Sequence, residues 1–318
     1  MFTWLKGWVI LDKKPYVVVV GGMNMDIFGM PNKKIIPRDS NIGEIGTAVG
    51  GVGQNIAQNL AHLEVPTYLI TVYGDDMNGT VMEQSCAENH IHLDYAEKLK
   101  GQRSSGYLYV TDETGDMLVG INDMKITENI TPAFLAKRLD FMNNAEIVMV
   151  DANLPSESIK WLGDHVTVPL FADPVSVNKG ERIEPILNKL DTFKPNKMEA
   201  ELLSGVKIEN NDDVQKAAEK LIDMGVKTVF ISLGADGILA ANKDGVVKVP
   251  TMTTKIVNAN GAGDCSTATI TWCRYEGITD LKTICEKTQA AASIALESDK
   301  SVPDLNPQMI ADKLAQAK

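Results

Sequence analysis

Apolar runs and polar turns alternate along this chain with two periods. Tyr16-Val17-Val18-Val19-Val20 is a continuous β-branched run closed by Gly21-Gly22. That is the pattern of a parallel strand buried on both faces. Asn24 and Asp26 follow at once, just past the strand's carboxyl end, where ligands bind in open α/β sheets. Residues 27–49 are short, turn-rich and polar, and read as hairpin strands leaving the main sheet. Gly50-Gly51-Val52-Gly53-Gln54-Asn55 then opens a helix that continues to Leu63. The pattern next predicts a strand over 68–73, a helix over 76–89, and a second hairpin from 105–110 and 117–121. A helix over 131–142 follows, with Pro132 in its first turn. Strands over 147–150 and 169–172 flank a helix over 156–162. Farther on come a helix over 183–190, a short strand over 192–194, a helix from 199 and another over 212–224. A strand over 228–232, a hairpin from 238–241 and 246–249, and helices to 275, over 281–296 and after Asn306-Pro307 complete the chain.

Alternating strands and helices argue for a mostly parallel sheet covered by helices on both faces, an α/β sandwich of three layers. The hairpins at about 30–49 and 103–122 interrupt that rhythm and are expected to pair into a small β-sheet lid over the ligand site. The chain has 318 residues, enough for one large α/β domain, expected over 16–316 behind a leader of residues 1–15. A net charge of -11 argues against nucleic-acid binding through a general basic surface. No apolar stretch reaches the roughly 18 residues of a membrane span, and the first residues lack the core of a signal peptide. Cys86, Cys265, Cys273 and Cys285 form no C-x-x-C pair, and the four histidines form no metal motif. Reduced thiols in a cytoplasmic protein are the expectation.

The run Asn258-Ala259-Asn260-Gly261-Ala262-Gly263-Asp264 carries the clearest chemistry. Glycines ahead of a helix let backbone N–H groups converge on an anion, and the helix dipole adds to the attraction. An aspartate beside such a cradle suits a base that takes a proton from an attacking hydroxyl. Cradle plus carboxylate is the minimum equipment for phosphoryl transfer to an alcohol. Asp264 is expected to be ionised at neutral pH without any large shift. Lys179, Lys194 and Lys197 are candidates for the local positive charge that a nucleotide would need in so acidic a protein.

Four separated segments, in order, are similar to motifs of the ribokinase (PfkB) family of carbohydrate and nucleoside kinases. Gly50-Gly51 with Asn55 resembles the first motif, whose glycines and asparagine contact sugar hydroxyls. Asn196-Lys197-Met198-Glu199 resembles the N-x-x-E motif that positions magnesium and phosphate. Ser232-Leu233-Gly234-Ala235-Asp236-Gly237 resembles the strand-end turn that lines the nucleotide, and Asn258 to Asp264 resembles the motif of anion hole and base. The resemblance covers roughly residues 16–316 and implies a ribokinase-like fold. It also implies ATP, Mg2+ and, with Asn258 in place of a charged residue, an open question over a monovalent cation such as K+.

The resemblance implies these roles. Asn24, Asp26, Gly50, Gly51 and Asn55 hold the acceptor's hydroxyls, and Asn122 and Asp123 reach it from the lid. Asp264 is the base, with Gly261, Ala262 and Gly263 as the anion hole. Asn196, Ser232, Gly234, Gly237, Asn260 and Lys179 contact the nucleotide, while Glu199 and Asn196 hold hydrated magnesium. Ile121-Asn122-Asp123-Met124, Asp173-Pro174-Val175-Ser176 and Lys194-Pro195-Asn196 are most similar to the members that phosphorylate pseudouridine at its 5′-hydroxyl. Ribose, a purine nucleoside or a sugar phosphate are the alternative acceptors, and a non-catalytic nucleoside sensor is the alternative of another class. Free lid-strand edges invite a homodimer.

Overall fold

The computed structural model describes residues 15–316, so the expected leader lies outside the described residues apart from its last position. A nine-stranded sheet forms the centre. From one edge its strands are Gly245–Val249, Ile238–Asn242, Thr228–Ser232, Thr192–Phe193, Leu170–Asp173, Ile147–Asp151, Val17–Val20, Thr67–Ile70 and Ile91–His92. The first three are joined antiparallel and all the others parallel.

The β-branched run at 17–20 shows how the layers arise. Alternate side chains of a strand point to opposite faces. Val18 and Val20 belong to one buried apolar cluster with Val148, Ile159, Leu162, Leu187 and Leu221 on one side. Val17 and Val19 belong to a second cluster with Met149, Ile56, Leu60, Ala268 and Ile284 on the other. Each fully buried Val, Leu or Ile contributes roughly 1.5–3 kcal/mol. Both faces are therefore sealed by helices, and the three-layer α/β/α sandwich expected from the sequence is the observed architecture. Among the described residues no helix is long and apolar enough to cross a membrane.

Strand order locates the site. From Val17–Val20 the chain builds outward through Thr67–Ile70 to Ile91–His92. It then returns to Ile147–Asp151 on the other flank of Val17–Val20 and builds away in the opposite direction. The crevice beyond the carboxyl ends of these two neighbours is the topological switch point, where open α/β sheets bind ligands.

A separate four-stranded sheet stands over that crevice, ordered Gly43–Gly50, Asn24–Pro31, Gly106–Thr111, Met117–Asp123. Its first strand in the chain begins earlier than the hairpin expected from about residue 30. Asn24 and Asp26 thus belong to the lid itself rather than to a loop beneath it. The register puts Ala48, Asp26, Tyr107 and Asn122 in one row, hence on one face. Met25, Gly106 and Asp123 form the neighbouring row on the opposite face.

Three other elements differ from the pattern. The run 68–73 splits at buried Thr71: Thr67–Ile70 stays in the main sheet and Val72–Gly74 pairs with Glu97–Leu99. The expected helix over 131–142 is two short helices, Pro132–Ala136 and Leu139–Met142. Arg138 separates them, because its guanidinium bonds the carbonyl oxygens of Phe134 (2.7 Å) and Tyr95 (2.6 Å). Residues Glu181–Lys189 form a 3-10 rather than an α-helix around Pro185, which has no N–H to give.

Candidate active site

At the acceptor end, Asn24 lies directly across from Gly50, and its amide donates to Asp26 Oδ1. A side chain at Gly50 would run into the Asp26 carboxylate. At Gly51, φ is 99° and a Cβ would lie 2.7 Å from Asn24 Oδ1. The two glycines therefore leave room for the Asn24 and Asp26 side chains on the lid's inner side. Burial pushes the Asp26 carboxyl up to about 6, against the pull of the Asn24 hydrogen bond. Phe28 and Tyr109 stack on the same lid face, with ring centroids 5.6 Å apart.

Gly51 also starts the helix Val52–His62, which carries Asn55 in its first turn. Asn55 Nδ2 donates to Asp264 Oδ2 at 2.8 Å. Its Oδ1 is buried without a hydrogen-bond partner among the described residues. Asn55 thus joins the acceptor end to the carboxylate expected to be the base.

Asp264 sits in the first turn of the helix Ala262–Tyr275, whose N-cap is Gly261 at φ 80°. A Cβ at Gly261 would collide with the Ser301 carbonyl oxygen, so only glycine fits. No side chain caps this helix, so its first N–H groups are without a side-chain partner, as an anion-binding helix start requires. Asp264 departs from the expectation of an ordinary ionised carboxylate. Burial, then the negative charge of Asp173, raise it to about 7, while Asn55 and Lys194 pull the other way.

The strand ends beneath supply the surrounding charges. Asp173 Oδ2 accepts from Thr267 Oγ1 (2.6 Å) and lies 3.6 Å from Lys194 Nζ. Both members of this ion pair are buried. Next along the sheet, Asn196 and Glu199 form a capping box: Asn196 Oδ1 accepts from the Glu199 N–H, and Glu199 Oε2 accepts from the Asn196 N–H. Burial, and less strongly Asp173, raise the Glu199 carboxyl. Asn196 bridges to Ser232, which begins the turn through Gly234 (φ 58°) and Gly237 (φ 90°). Gly234 has open space around it, whereas a Cβ at Gly237 would strike the Val249 carbonyl. Asn260 is exposed, and its N–H donates to Asn258 Oδ1. Among the described residues no group of three or more His, Cys, Asp or Glu converges to hold a metal.

The residues expected from the sequence therefore form one continuous path, from Asn24, Asp26, Gly50 and Gly51 through Asn55 to Asp264, then by Asp173 and Lys194 to Glu199, Asn196 and Ser232. Asn122 shares the face of Asp26; Asp123 is on the opposite face of the lid. Lys179 bonds Asn153 Oδ1 at 2.6 Å, beside the acceptor end. Sequence reasoning misses Asp151 and Asn153, and gives Asp173 and Lys194 no definite role. Their signal is present all the same: each follows or ends a parallel strand at its carboxyl end, the same rule that singles out Asn24 and Asp26.

Comparison with known proteins settles what this assembly belongs to. The model of the pfkB family carbohydrate kinases matches residues 14–308. The chain belongs to the PfkB family. It is 35% identical over 300 residues to the pseudouridine kinase of Escherichia coli, covering 93% of this chain and 95% of that one. A ribokinase of Arabidopsis thaliana is 26% identical over 303 residues, with 92% and 78% covered. The solved ribokinase of Thermotoga maritima superposes with a TM-score of 0.84 over 95% of this chain and 99% of its own, at 22% identity, which establishes the shared fold. As a PfkB kinase, the protein is a phosphotransferase with an alcohol group as acceptor.

Proposed function

We propose that this PfkB kinase transfers the γ-phosphoryl group of ATP to the 5′-hydroxyl of a nucleoside, with pseudouridine as the acceptor. The observation that carries the reading is the 2.8 Å bond from Asn55 to Asp264, which ties a carboxylate to the pocket of Asn24, Asp26 and Gly51. The 35% identity to a pseudouridine kinase over nearly the whole chain supports the choice of acceptor.

In this mechanism Asp26 and Asn24 accept and donate to the ribosyl diol, since a carboxylate can take two hydrogen bonds. The unpartnered Asn55 Oδ1 accepts from a further hydroxyl. Asp264, once ionised, takes the proton of the attacking oxygen. The N–H groups of Gly261, Ala262 and Gly263 stabilise charge on the transferring group; losing one such donor costs about 3 kcal/mol. Glu199 and Asn196 offer oxygen atoms beside the buried Lys194, a donor set suited to magnesium that keeps its waters and arrives with the nucleotide. Bound there, magnesium supplies neutralisation of the phosphate oxygens. Ser232, Gly234, Gly237 and Asn260 form the nucleotide rim. K+ is not carried into the reading, because Asn258 brings no charge and its Oδ1 already accepts from the Asn260 N–H (2.9 Å).

The lid's outer face exposes Ile45, Leu108, Val119 and Ile121 in adjoining rows. We take this face as the seat of a second copy in a homodimer. The four cysteines are buried and unpaired, in keeping with a cytoplasmic enzyme. A screen of pseudouridine, uridine, adenosine, ribose and fructose 6-phosphate with ATP tests the acceptor. Preference for ribose or the sugar phosphate refutes it. Ligand-induced thermal stabilisation without ADP release points instead to a sensor.

A further inference from the structure

We infer that Lys179 is a specificity residue for the acceptor's base and takes no part in holding the phosphates, an inference that rests on the nucleoside reading above. The turn after Leu170–Asp173 aims it. Val175 has φ 65°, a conformation β-branched residues avoid. The Val175 N–H donates to Asp173 Oδ1 (2.8 Å), and the Ser176 N–H closes on the Pro174 carbonyl (2.6 Å). The chain is thereby thrown back across the end of the neighbouring strand Ile147–Asp151.

There Lys179 Nζ donates to Asn153 Oδ1 at 2.6 Å. Asn153 is itself immobilised. Its Nδ2 and its backbone N–H both donate to Asp151, at 3.1 and 2.8 Å. Arg182 holds the carbonyls of Ala152 and Leu154 on either side, at 3.1 Å each. Asp151, fully buried, also accepts from the Gly22 N–H at 2.9 Å. The chain of bonds from Lys179 thus ends on the turn that delivers Asn24 and Asp26. A Cβ placed on Gly22 would come within 3.2 Å of Asn153 and 2.6 Å of Met124 Cε, so both side chains pack directly on the turn that leads to Asn24 and Asp26.

The charges divide accordingly. The cation that acts on Asp264 and Glu199 is Lys194. The charged neighbours of Lys179 are Arg182 and Asp151, the latter shared with Asp264, so it is the cations that are kept apart. The hydrogen-bond partner of Lys179 is a neutral amide, and an ammonium has three N–H groups. Those left over suit carbonyl oxygens, such as the two on a pyrimidine-2,4-dione ring. A free sugar offers no carbonyl of that kind.

Steady-state kinetics of the full chain and of Lys179→Met test this, with pseudouridine and ATP varied in turn and ribose added as a competing ligand. The KM for pseudouridine is expected to rise at least tenfold, while the KM for ATP and the Ki of ribose stay within twofold. Lys179→Gln, which keeps a donor to Asn153, is expected to give an intermediate rise and covers a Met variant that fails to fold. A raised KM for ATP assigns Lys179 to the phosphates and overturns the inference. So does an equal loss for pseudouridine and ribose, or no change at all. Absence of nucleoside turnover in the unmodified protein instead sinks the choice of acceptor, so the two failures are told apart.

Discussion

Replacing Asp264 by asparagine has opposite effects on turnover and on stability, and the second follows from the site's electrostatics. The carboxyl is raised from 3.8 to about 7, chiefly by burial and by Asp173. Between those values the folded chain keeps a proton that the unfolded chain has released. The corresponding stability is complete below about pH 4 and is lost as pH rises through about 7. A shift of roughly three units is worth about 4 kcal/mol. Water reaching this half-buried group reduces the figure to about 2 kcal/mol. An asparagine side chain at this position cannot ionise, and its carbonyl oxygen can still accept from Asn55. Urea unfolding at pH 5 and pH 8.5 should therefore find Asp264→Asn more stable than the unmodified protein at pH 8.5 by about 2 kcal/mol, with a smaller gap at pH 5. The difference between the two proteins matters here, because Asp151 and Glu199 are also raised and tilt both curves alike. Turnover in the same variant should drop at least about a thousandfold with nucleoside binding retained. Parallel stability curves would refute the electrostatic account, and near-normal turnover would refute the base assignment.

The pH profile of kcat/KM should show an acid limb near 7 rather than near 4, because Asp264 accepts a proton only when ionised. A limb at 4 contradicts the raised carboxyl. Asp26→Asn should raise the KM for the nucleoside at least tenfold and leave that for ATP unchanged; a matching rise for ATP would move Asp26 out of the acceptor pocket. Gly261→Ala should lower the thermal midpoint and abolish turnover, since φ 80° and the Ser301 carbonyl both oppose a methyl group there. An active, stable variant would mean the cradle is not built this way. Ile121→Asp should shift a dimer towards monomer in sedimentation velocity, whereas an unchanged sedimentation coefficient removes the lid's outer face from any interface.

Much of this is legible from the chain because local pattern and global fold agree. The β-branched run 17–20 has to be a doubly buried strand, and glycines at 50, 51 and 261 have to mark tight backbone. What escapes depends on partners distant in sequence. The break at Thr71 is a change of pairing strand, which periodicity does not register. Arg138 splits a helix by bonding a carbonyl in Tyr95, 43 positions away. The proton affinity of Asp264 depends on Asp173, Lys194 and Asp151, three strand ends that only the sheet brings together. The charge of Lys179 is plain in the sequence, but its direction depends on a strained turn at Val175 that no composition rule reveals.

The fit of Gly261 against Ser301 has a consequence for how this enzyme can vary. The backbone turn that starts the Asp264 helix is not free-standing; it leans on a peptide far downstream, in the stretch between the last two helices. Swelling or shifting that stretch displaces the turn at Gly261 without touching any residue proposed to meet a ligand. Sequence changes near 298–303 are thus a remote means of adjusting catalysis, and a natural place to look when close relatives with identical pockets differ in speed.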